Sequence, residues 1–134
     1  MVTLADILAR YPGGEAFRFG DGPDLCAELT ALVVSGAKTA TCGALRDFPE
    51  GERAVVGRRD VACLWDWTPS VVIETTDVTE RRFCDVPEDF AVAEGEGTFE
   101  DWRRGHILYF ERNGGWAEDM WLICERFRVV EVLR

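Results

Sequence analysis

The sequence predicts an α+β fold in which helices flank a partly closed β-sheet. Residues 61–67 and 71–78 are rich in β-branched and aromatic side chains around a Thr-Pro-Ser turn, which indicates a hairpin. Helical periodicity precedes the hairpin in residues 3–11 and follows it in residues 99–112. With 134 residues, 47% of them hydrophobic, the chain has the size of one domain. We therefore expect a single domain over residues 1–134, with helix 3–11 as an N-terminal extension.

The first third of the chain predicts two helices. Helix 3–11 has apolar residues at helical spacing and stops at a Pro-Gly-Gly sequence. Residues 17–21 look like a loop that leads into the second helix. Pro23 suits the first turn of this helix, and Gly36 suits its end. The leucines and valine between them form one apolar stripe, so this helix should pack against the sheet.

The rest of the chain alternates between extended and helical segments. Residues 39–43 are predicted to be extended, and the charged segment 45–59 to be a connecting loop. Beyond the hairpin, Thr98 is a suitable cap for helix 99–112. Residues 120–132 alternate between apolar and polar side chains well enough to form one or two closing strands.

Charge and composition narrow the classes of partner. The net charge is −10, whereas nucleic acids are held largely by lysine and arginine contacts to phosphates. The five cysteines lack metal-type spacing and are expected to be reduced thiols. The N-terminus has no signal-peptide features, and no apolar run approaches the roughly 18 residues that span a bilayer. We expect a cytoplasmic protein without a membrane partner.

The segment Gly36-Ala37-Lys38-Thr39-Ala40-Thr41 carries the candidate chemistry. Lys38 and Thr41 lie three residues apart where a helix should end, and small neighbours allow the backbone to turn sharply there. An amine and a hydroxyl that leave one turn can share a proton. On spacing alone, an exposed lysine at a helix end and an ordinary strand threonine explain the pattern more often. A second segment, Glu94-Gly95-Glu96-Gly97, offers carboxylates. We interpret Glu94 as a solvated acid or as one that orients the loop.

In the order of its segments, the chain resembles the ASCH domain family, whose members share a fold with the PUA RNA-binding domains. The resemblance covers most of the chain and is carried by the following motifs: Phe17-Arg18-Phe19-Gly20-Asp21, the Gly36–Thr41 turn, the hairpin, Phe90-Ala91-Val92-Ala93-Glu94-Gly95-Glu96-Gly97, Trp102-Arg103-Arg104-Gly105-His106 with Phe110, and Cys124-Glu125-Arg126-Phe127. It implies a PUA-like small β-barrel with surrounding helices, and a cleft lined by the Gly-x-Lys-x-x-Thr turn.

The resemblance also implies an activity. Small bacterial ASCH proteins include amidohydrolases that remove the acyl group of N4-acetylcytidine with a lysine, a threonine and a glutamate. The matching residues here are Lys38, Thr41 and Glu96. Two routes remain open: Thr41 attacks the amide carbonyl while Lys38 acts as its base, or water attacks with Glu96 as the base while Lys38 polarises the carbonyl. In the first route Glu96 carries a proton to the leaving amine.

Five further residues are candidates for substrate binding, as aromatic platforms, a ring contact and a cation: Phe19, Trp65, Arg46, Trp102 and His106. Aromatic residues of this kind are more often core residues, and a lone histidine on an aromatic face is most often hydrogen-bonded in the core. Several ASCH members place an arginine two residues beyond the threonine, where this chain has Gly43. A cation would then have to come from elsewhere in the chain, with Arg46, Arg58 and Arg103 as candidates.

Other classes of function stay open. The PUA-like resemblance also fits a non-catalytic RNA-binding or nucleotide-binding module, and some ASCH relatives have been proposed to be metal-assisted ribonucleases. The acidic composition weighs against RNA binding. One histidine and scattered acids offer no convergent ligand set, so we expect no metal and no cofactor. A pocket that binds a metabolite without chemistry would use Lys38 only as an anchor. The expected partner is a small modified nucleoside, with single-stranded RNA as the alternative.

Overall fold

The computed structural model describes residues 2–133 and contains, over these residues, four α-helices and five β-strands. The helices are α1 (Leu4–Arg10), α2 (Pro23–Ser35), α3 (Glu88–Ala93) and α4 (Phe99–Arg112). The strands are β1 (Ala16–Arg18), β2 (Ala40–Ala44), β3 (Arg59–Cys63), β4 (Pro69–Arg82) and β5 (Trp121–Val132). None of the helices in this range has the length and apolar character needed to cross a bilayer.

The strands form one mixed sheet with the order β1-β3-β4-β5-β2. Strand β1 runs parallel to β3, and the remaining neighbours are antiparallel. Within residues 2–133 the sheet is open, with β1 and β2 at its two edges, so the predicted α+β class is confirmed while closure into a barrel is not. The long β4–β5 pair contains two register shifts, and such bulges increase the local twist of a sheet.

Two strand predictions differ from the structure. Residues 17–21 were expected to be a loop, but Ala16–Arg18 is a short strand beside β3. Three residues are too few to show a periodicity, so only the tertiary pairing reveals β1. The predicted hairpin is also displaced, because β3 ends at Cys63 and β4 continues to Arg82. The charged end of β4 lacks strand propensity and is extended because it pairs with β5 along its whole length.

Helix α2 ends in a way that places the candidate lysine. Pro23 occupies its first turn, and Gly36 closes it in the left-handed conformation at φ 88°. The backbone N–H of Lys38 then donates to the carbonyl of Leu32 at 3.0 Å, which folds the chain back beneath the helix. The side chain of Lys38 is thereby directed into the protein, and β2 follows two residues later.

Two buried groups of side chains flank this turn. The first, which we call the α2 cluster, packs α2 on the sheet and consists of Phe19, Leu29, Val33, Ala62, Val71, Ile73 and Phe127. The second, which we call the α4 cluster, packs α3 and α4 on the other half of the sheet and includes Ala40, Phe83, Phe90, Trp102, Phe110 and Leu122. Helix α4 begins with a capping box between Thr98 and Asp101, which confirms Thr98 as the predicted cap.

Candidate active site

A cavity of about 180 Å³ lies between α2, the start of β2 and α4. Its apolar walls come from both helices and the segment after β1, and comprise Phe19, Leu25, Leu29 and Tyr109. Its polar groups come from four different segments, and comprise Lys38, Thr41, Cys42, Glu94, Glu96, His106 and Arg112. A small concave site with convergent polar groups is the usual form of a ligand site.

Lys38 is buried at the base of this cavity, with only 1% of its surface exposed. Its Nζ lies 3.2 Å from Oε1 of Glu94, 3.4 Å from the Glu94 carbonyl oxygen and 4.0 Å from Oε2 of Glu96. The same atom lies 5.8 Å from the ring centroid of Phe19, within cation–π range. The interpretation of Lys38 as an exposed residue at a helix end is therefore wrong.

Glu94 is a buried anion, which contradicts its interpretation as a solvated acid. It is 1% exposed, and its Oε2 accepts a hydrogen bond of 2.6 Å from the indole N–H of Trp102. Burial alone would raise its pKa, but the charges of Lys38 and His106, with hydrogen bonds from His106 and Trp102, lower it to about 2. The carboxylate is thus ionised at neutral pH.

Gly95 explains how the loop approaches the lysine so closely. It has φ 81°, and a Cβ at this position would lie 2.7 Å from the carbonyl oxygen of Ala37. Any other residue would combine a strained backbone with a clash against the main chain. The glycine therefore allows the loop that carries Glu94 and Glu96 to pack on the turn that carries Lys38.

His106 lies on the same side of α4 as Trp102 and stacks on its ring at a centroid distance of 4.5 Å. Its Nδ1 lies 2.8 Å from the carbonyl oxygen of Trp102, and its Nε2 lies 3.5 Å from Oε2 of Glu94. Burial lowers the pKa of His106, but the charges of Glu94 and Glu96 outweigh it and raise the pKa above its usual value. His106 is hydrogen-bonded and largely buried, as one sequence interpretation expects, and it also lines the cavity, while its contact with a ligand stays a prediction.

Glu96 is the more accessible carboxyl group, with 28% of its side chain exposed. Burial raises its pKa, and the charge of Lys38 only partly offsets this effect. A carboxyl group with a raised pKa that faces a cavity can both take and return a proton.

Cys42 and Thr41 extend the polar surface along β2. The Sγ of Cys42, a carboxylate oxygen of Glu94 and a ring nitrogen of His106 all lie within 4.8 Å of one another, and these are the atoms that could hold a metal ion. Burial and the charge of Glu94 raise the pKa of Cys42 well above its usual range, so its thiol is protonated and a poor nucleophile.

Five of the eight residues predicted for the site line the cavity: Phe19, Lys38, Thr41, Glu96 and His106. Trp102 lies behind it and acts through its bond to Glu94. Trp65 and Arg46 lie elsewhere. The ring of Trp65 packs on the guanidinium of Arg18 at 3.8 Å, and Arg46 donates to the carbonyl of Gly115 at 2.7 Å, and neither side chain lines the cavity.

The structure also identifies cavity residues that the sequence did not single out. Besides Lys38, Arg112 is a cation that lines the cavity, and it is paired with Asp21 at 2.7 Å. Of the arginines predicted as alternatives, Arg58 is paired with Asp60 and Arg103 with Glu118. The sequence contained a signal for two additional cavity residues, Tyr109 and Arg112. They follow His106 at steps of three along α4, which puts all three on one side of the helix.

Comparison with known proteins agrees with this architecture. The sequence profile described as the ASCH domain matches residues 15–131. The chain belongs to the ASCH domain family. The matched range contains the whole sheet up to Glu131 and every cavity residue, whereas α1 precedes it. A search of curated proteins gives no match.

Two crystal structures are similar to this ASCH domain over nearly its whole length. Protein EF3133 from Enterococcus faecalis V583 is 31% identical, with a TM-score of 0.83, over 96% of this chain and 85% of that protein. An ASCH domain from Lactobacillus crispatus JV V101 is 28% identical, with a TM-score of 0.79, over 92% of this chain and 84% of that one.

Proposed function

We propose that this ASCH domain hydrolyses the amide bond of a small acylated nucleoside, with N4-acetylcytidine as the representative substrate. The proposal depends on one observation: the Lys38 ammonium and the Glu96 carboxyl group, 4.0 Å apart, meet Thr41 in one cavity. At about 180 Å³ the cavity is smaller than the roughly 300–1,000 Å³ typical of drug-sized ligands. It suits an acylated base better than a folded RNA, and the net charge of −10 also disfavours RNA.

The ion pair of Lys38 with Glu94 favours the route in which water is the nucleophile. A lysine held in this way is a hydrogen-bond donor, which suits a group that stabilises an oxyanion and does not suit a base. Glu96 is not held in a close ion pair, because its side chain is partly exposed and its Oε2 lies 4.0 Å from Nζ of Lys38. Its carboxylate is the group in the cavity that can remove a proton from water.

The reaction balances with these groups alone. Glu96 takes a proton from water as the water oxygen bonds to the acyl carbon, and the resulting oxyanion accepts a hydrogen bond from Lys38. When the C–N bond breaks, Glu96 returns its proton to the amine of cytosine, which leaves as cytidine, and the acyl group leaves as a carboxylic acid. Thr41 contributes a cavity wall and a hydroxyl group for orienting the acyl group.

The test measures the release of cytidine from N4-acetylcytidine by chromatography. We expect Glu96→Gln to lower kcat by about 10²- to 10⁴-fold, because the variant keeps the shape of the side chain and loses the base. Glu80→Gln, at an exposed position on β4, is the matched control and should keep wild-type turnover. Equal rates for wild type and Glu96→Gln would contradict the proposal.

Thr41→Ala separates the two routes. If water is the nucleophile, the variant should retain turnover within about tenfold, and no acylated protein should be found by mass spectrometry. Complete loss of turnover together with an acyl-threonine in the wild type would assign the nucleophile to Thr41 instead. A parallel titration of single-stranded RNA at low salt should show no strong binding, since strong binding that salt abolishes would indicate an RNA-binding module.

A further inference from the structure

Glu94 lies at the centre of the site, although the reaction proposed above gives it no step. Three donors from two segments, the turn before β2 and helix α4, converge on its two carboxylate oxygens. Lys38 contacts Oε1 at 3.2 Å, the indole of Trp102 contacts Oε2 at 2.6 Å, and Nε2 of His106 lies 3.5 Å from Oε2. A carboxylate with only 1% exposure is costly to bury, and these partners offset that cost.

The surroundings of His106 determine which protons it carries. Its Nδ1 faces the carbonyl oxygen of Trp102 at 2.8 Å, and its Nε2 faces a carboxylate oxygen of Glu94. Both neighbours are acceptors. A neutral imidazole has one N–H and one lone pair, so either tautomer would direct a lone pair at an acceptor. The imidazolium, with two N–H donors, satisfies both contacts.

We propose that Glu94 is the positioning residue of this cavity: its ionised carboxylate holds His106 as an imidazolium and fixes Lys38 as a donor facing the acyl group. Glu94 lines the cavity but is only 1% exposed, and its oxygens already accept from Lys38 and Trp102, so we assign it a role that acts through Lys38 and His106. The part of this inference that concerns the acyl group rests on the proposed function, whereas the state of His106 does not.

The same geometry argues against a metal ion at this place. Cys42, Glu94 and His106 could in principle form a three-ligand site, but both oxygens of Glu94 already accept from Lys38 and Trp102. An imidazolium also has no lone pair to offer. A zinc ion would therefore have to lie beside the Lys38 ammonium and deprotonate His106.

The charged and titratable groups that face His106 come from every segment around it. Glu94 and Glu96 follow α3, Lys38 precedes β2, Cys42 lies in β2, and Tyr109 and Arg112 lie further along α4, where they also line the cavity. Of these, the two carboxylates raise the pKa of His106, against the effect of burial. Removing the charge of Glu94 should therefore leave burial as the dominant influence.

His106 is the only histidine in the chain, so its ring resonances can be assigned without ambiguity. We would label the histidine ring with ¹³C and follow its chemical shift by NMR from pH 4 to 9. The wild type should titrate above the ordinary value of 6.5, and Glu94→Gln should titrate below it. A wild-type titration below 6.5, or the same titration in both proteins, would overturn the proposal. The wild-type measurement tests the proposal even if the variant does not fold.

Two further measurements complete the test. Glu94→Asp keeps the charge and should restore a raised His106 pKa, which a merely space-filling role would not require. Calorimetric titration of the wild type with zinc chloride should show no stoichiometric binding, and binding at one ion per chain would assign the cluster to a metal and overturn the proposal.

Turnover separates this inference from the proposed function. With N4-acetylcytidine, Glu94→Gln should lower kcat by about 10²-fold with little change in KM, because a displaced Lys38 stabilises the transition state less well. If the wild type does not turn over but His106 titrates as expected, the proposed reaction fails and the role of Glu94 towards His106 stands. If the wild type turns over and Glu94→Gln turns over equally well, Glu94 does not position the catalytic groups.

Discussion

Two acids of this ASCH domain, Glu94 in the cavity wall and Glu125 in the middle of β5, experience opposite effects of the protein on their carboxyl groups. The pKa of Glu94 is lowered to about 2, whereas that of Glu125 is raised to about 7. Both side chains are largely removed from water, and desolvation is the largest single effect on each of them. The difference therefore comes from their neighbours.

The carboxylate of Glu94 is surrounded by hydrogen-bond donors, whereas that of Glu125 is affected mainly by burial and by nearby negative charge. The carboxylate of Asp60 raises the pKa of Glu125 further, and Arg58 lowers it only in part. Arg58 is already paired with Asp60 at 2.9 Å, which limits what it offers to Glu125. An acid whose partners are arranged in advance is ionised and fixed in place, as a site requires. An acid without them reduces stability when it ionises.

Removing Lys38, the counter-charge of Glu94, should have the largest effect on the free energy of unfolding. We expect Lys38→Met to destabilise the fold by about 3–5 kcal/mol, because it leaves a buried carboxylate without its main counter-charge. Urea unfolding at pH 7 measures the effect. Arg126→Met, which breaks an exposed pair with Asp89, is the control and should cost less than about 1 kcal/mol.

A second substitution tests whether the loss in Lys38→Met really comes from the orphaned charge. Adding Glu94→Gln to Lys38→Met removes that charge and should recover part of the lost stability. If the double variant is no more stable than Lys38→Met, the loss reflects packing of the lysine stem and not the ion pair.

The loss of stability at acid pH should reveal the contribution of the Glu94 carboxylate. Because its folded pKa is depressed from 4.5 to about 2, Glu94 contributes stability that is present above pH 4.5 and lost as the pH falls towards 2. The contribution is roughly 3 kcal/mol for a shift of this size. Urea unfolding at pH 5 and pH 3 should show a smaller loss for Glu94→Gln than for the wild type. An identical loss in the two proteins would mean that other carboxyl groups control acid unfolding.

Some of this site could be predicted from the sequence because local rules place it. Gly36 ends α2 in the left-handed conformation, so the position of Lys38 after a helix follows from composition and spacing. The helix that carries His106 was predicted with its cap at Thr98, since a capping residue and a 3.6-residue period are local signals. Resemblance to the family then joined Lys38, Thr41 and Glu96, and all three line one cavity.

The role of Glu94 could not be predicted, because it depends on contacts between distant segments. Glu94 and Glu96 look alike in the sequence, and the burial of Glu94 depends on contacts with Lys38 and Trp102 that form when the loop packs on Ala37. The openness of the sheet was missed for a similar reason. The edge position of β2 follows from its pairing with β5 alone, and strand order leaves no periodic trace in the sequence.

Replacing Glu125 tests the other half of the comparison and should have the smallest effect, with the opposite sign. Since its folded pKa is raised from 4.5 to about 7, wild-type stability from this group is full below pH 4.5 and declines as the pH rises through 7. Glu125→Gln cannot ionise, so above pH 7 it should be more stable than the wild type by roughly 1–2 kcal/mol, because solvent screening of this half-buried group reduces the roughly 3 kcal/mol that the shift alone would give. Urea unfolding at pH 5 and pH 8 should show this gain only at the higher pH. A variant that is less stable than the wild type at pH 8 would mean that the Glu125 carboxylate has a stabilising partner and that the two acids differ less than their pKa values indicate.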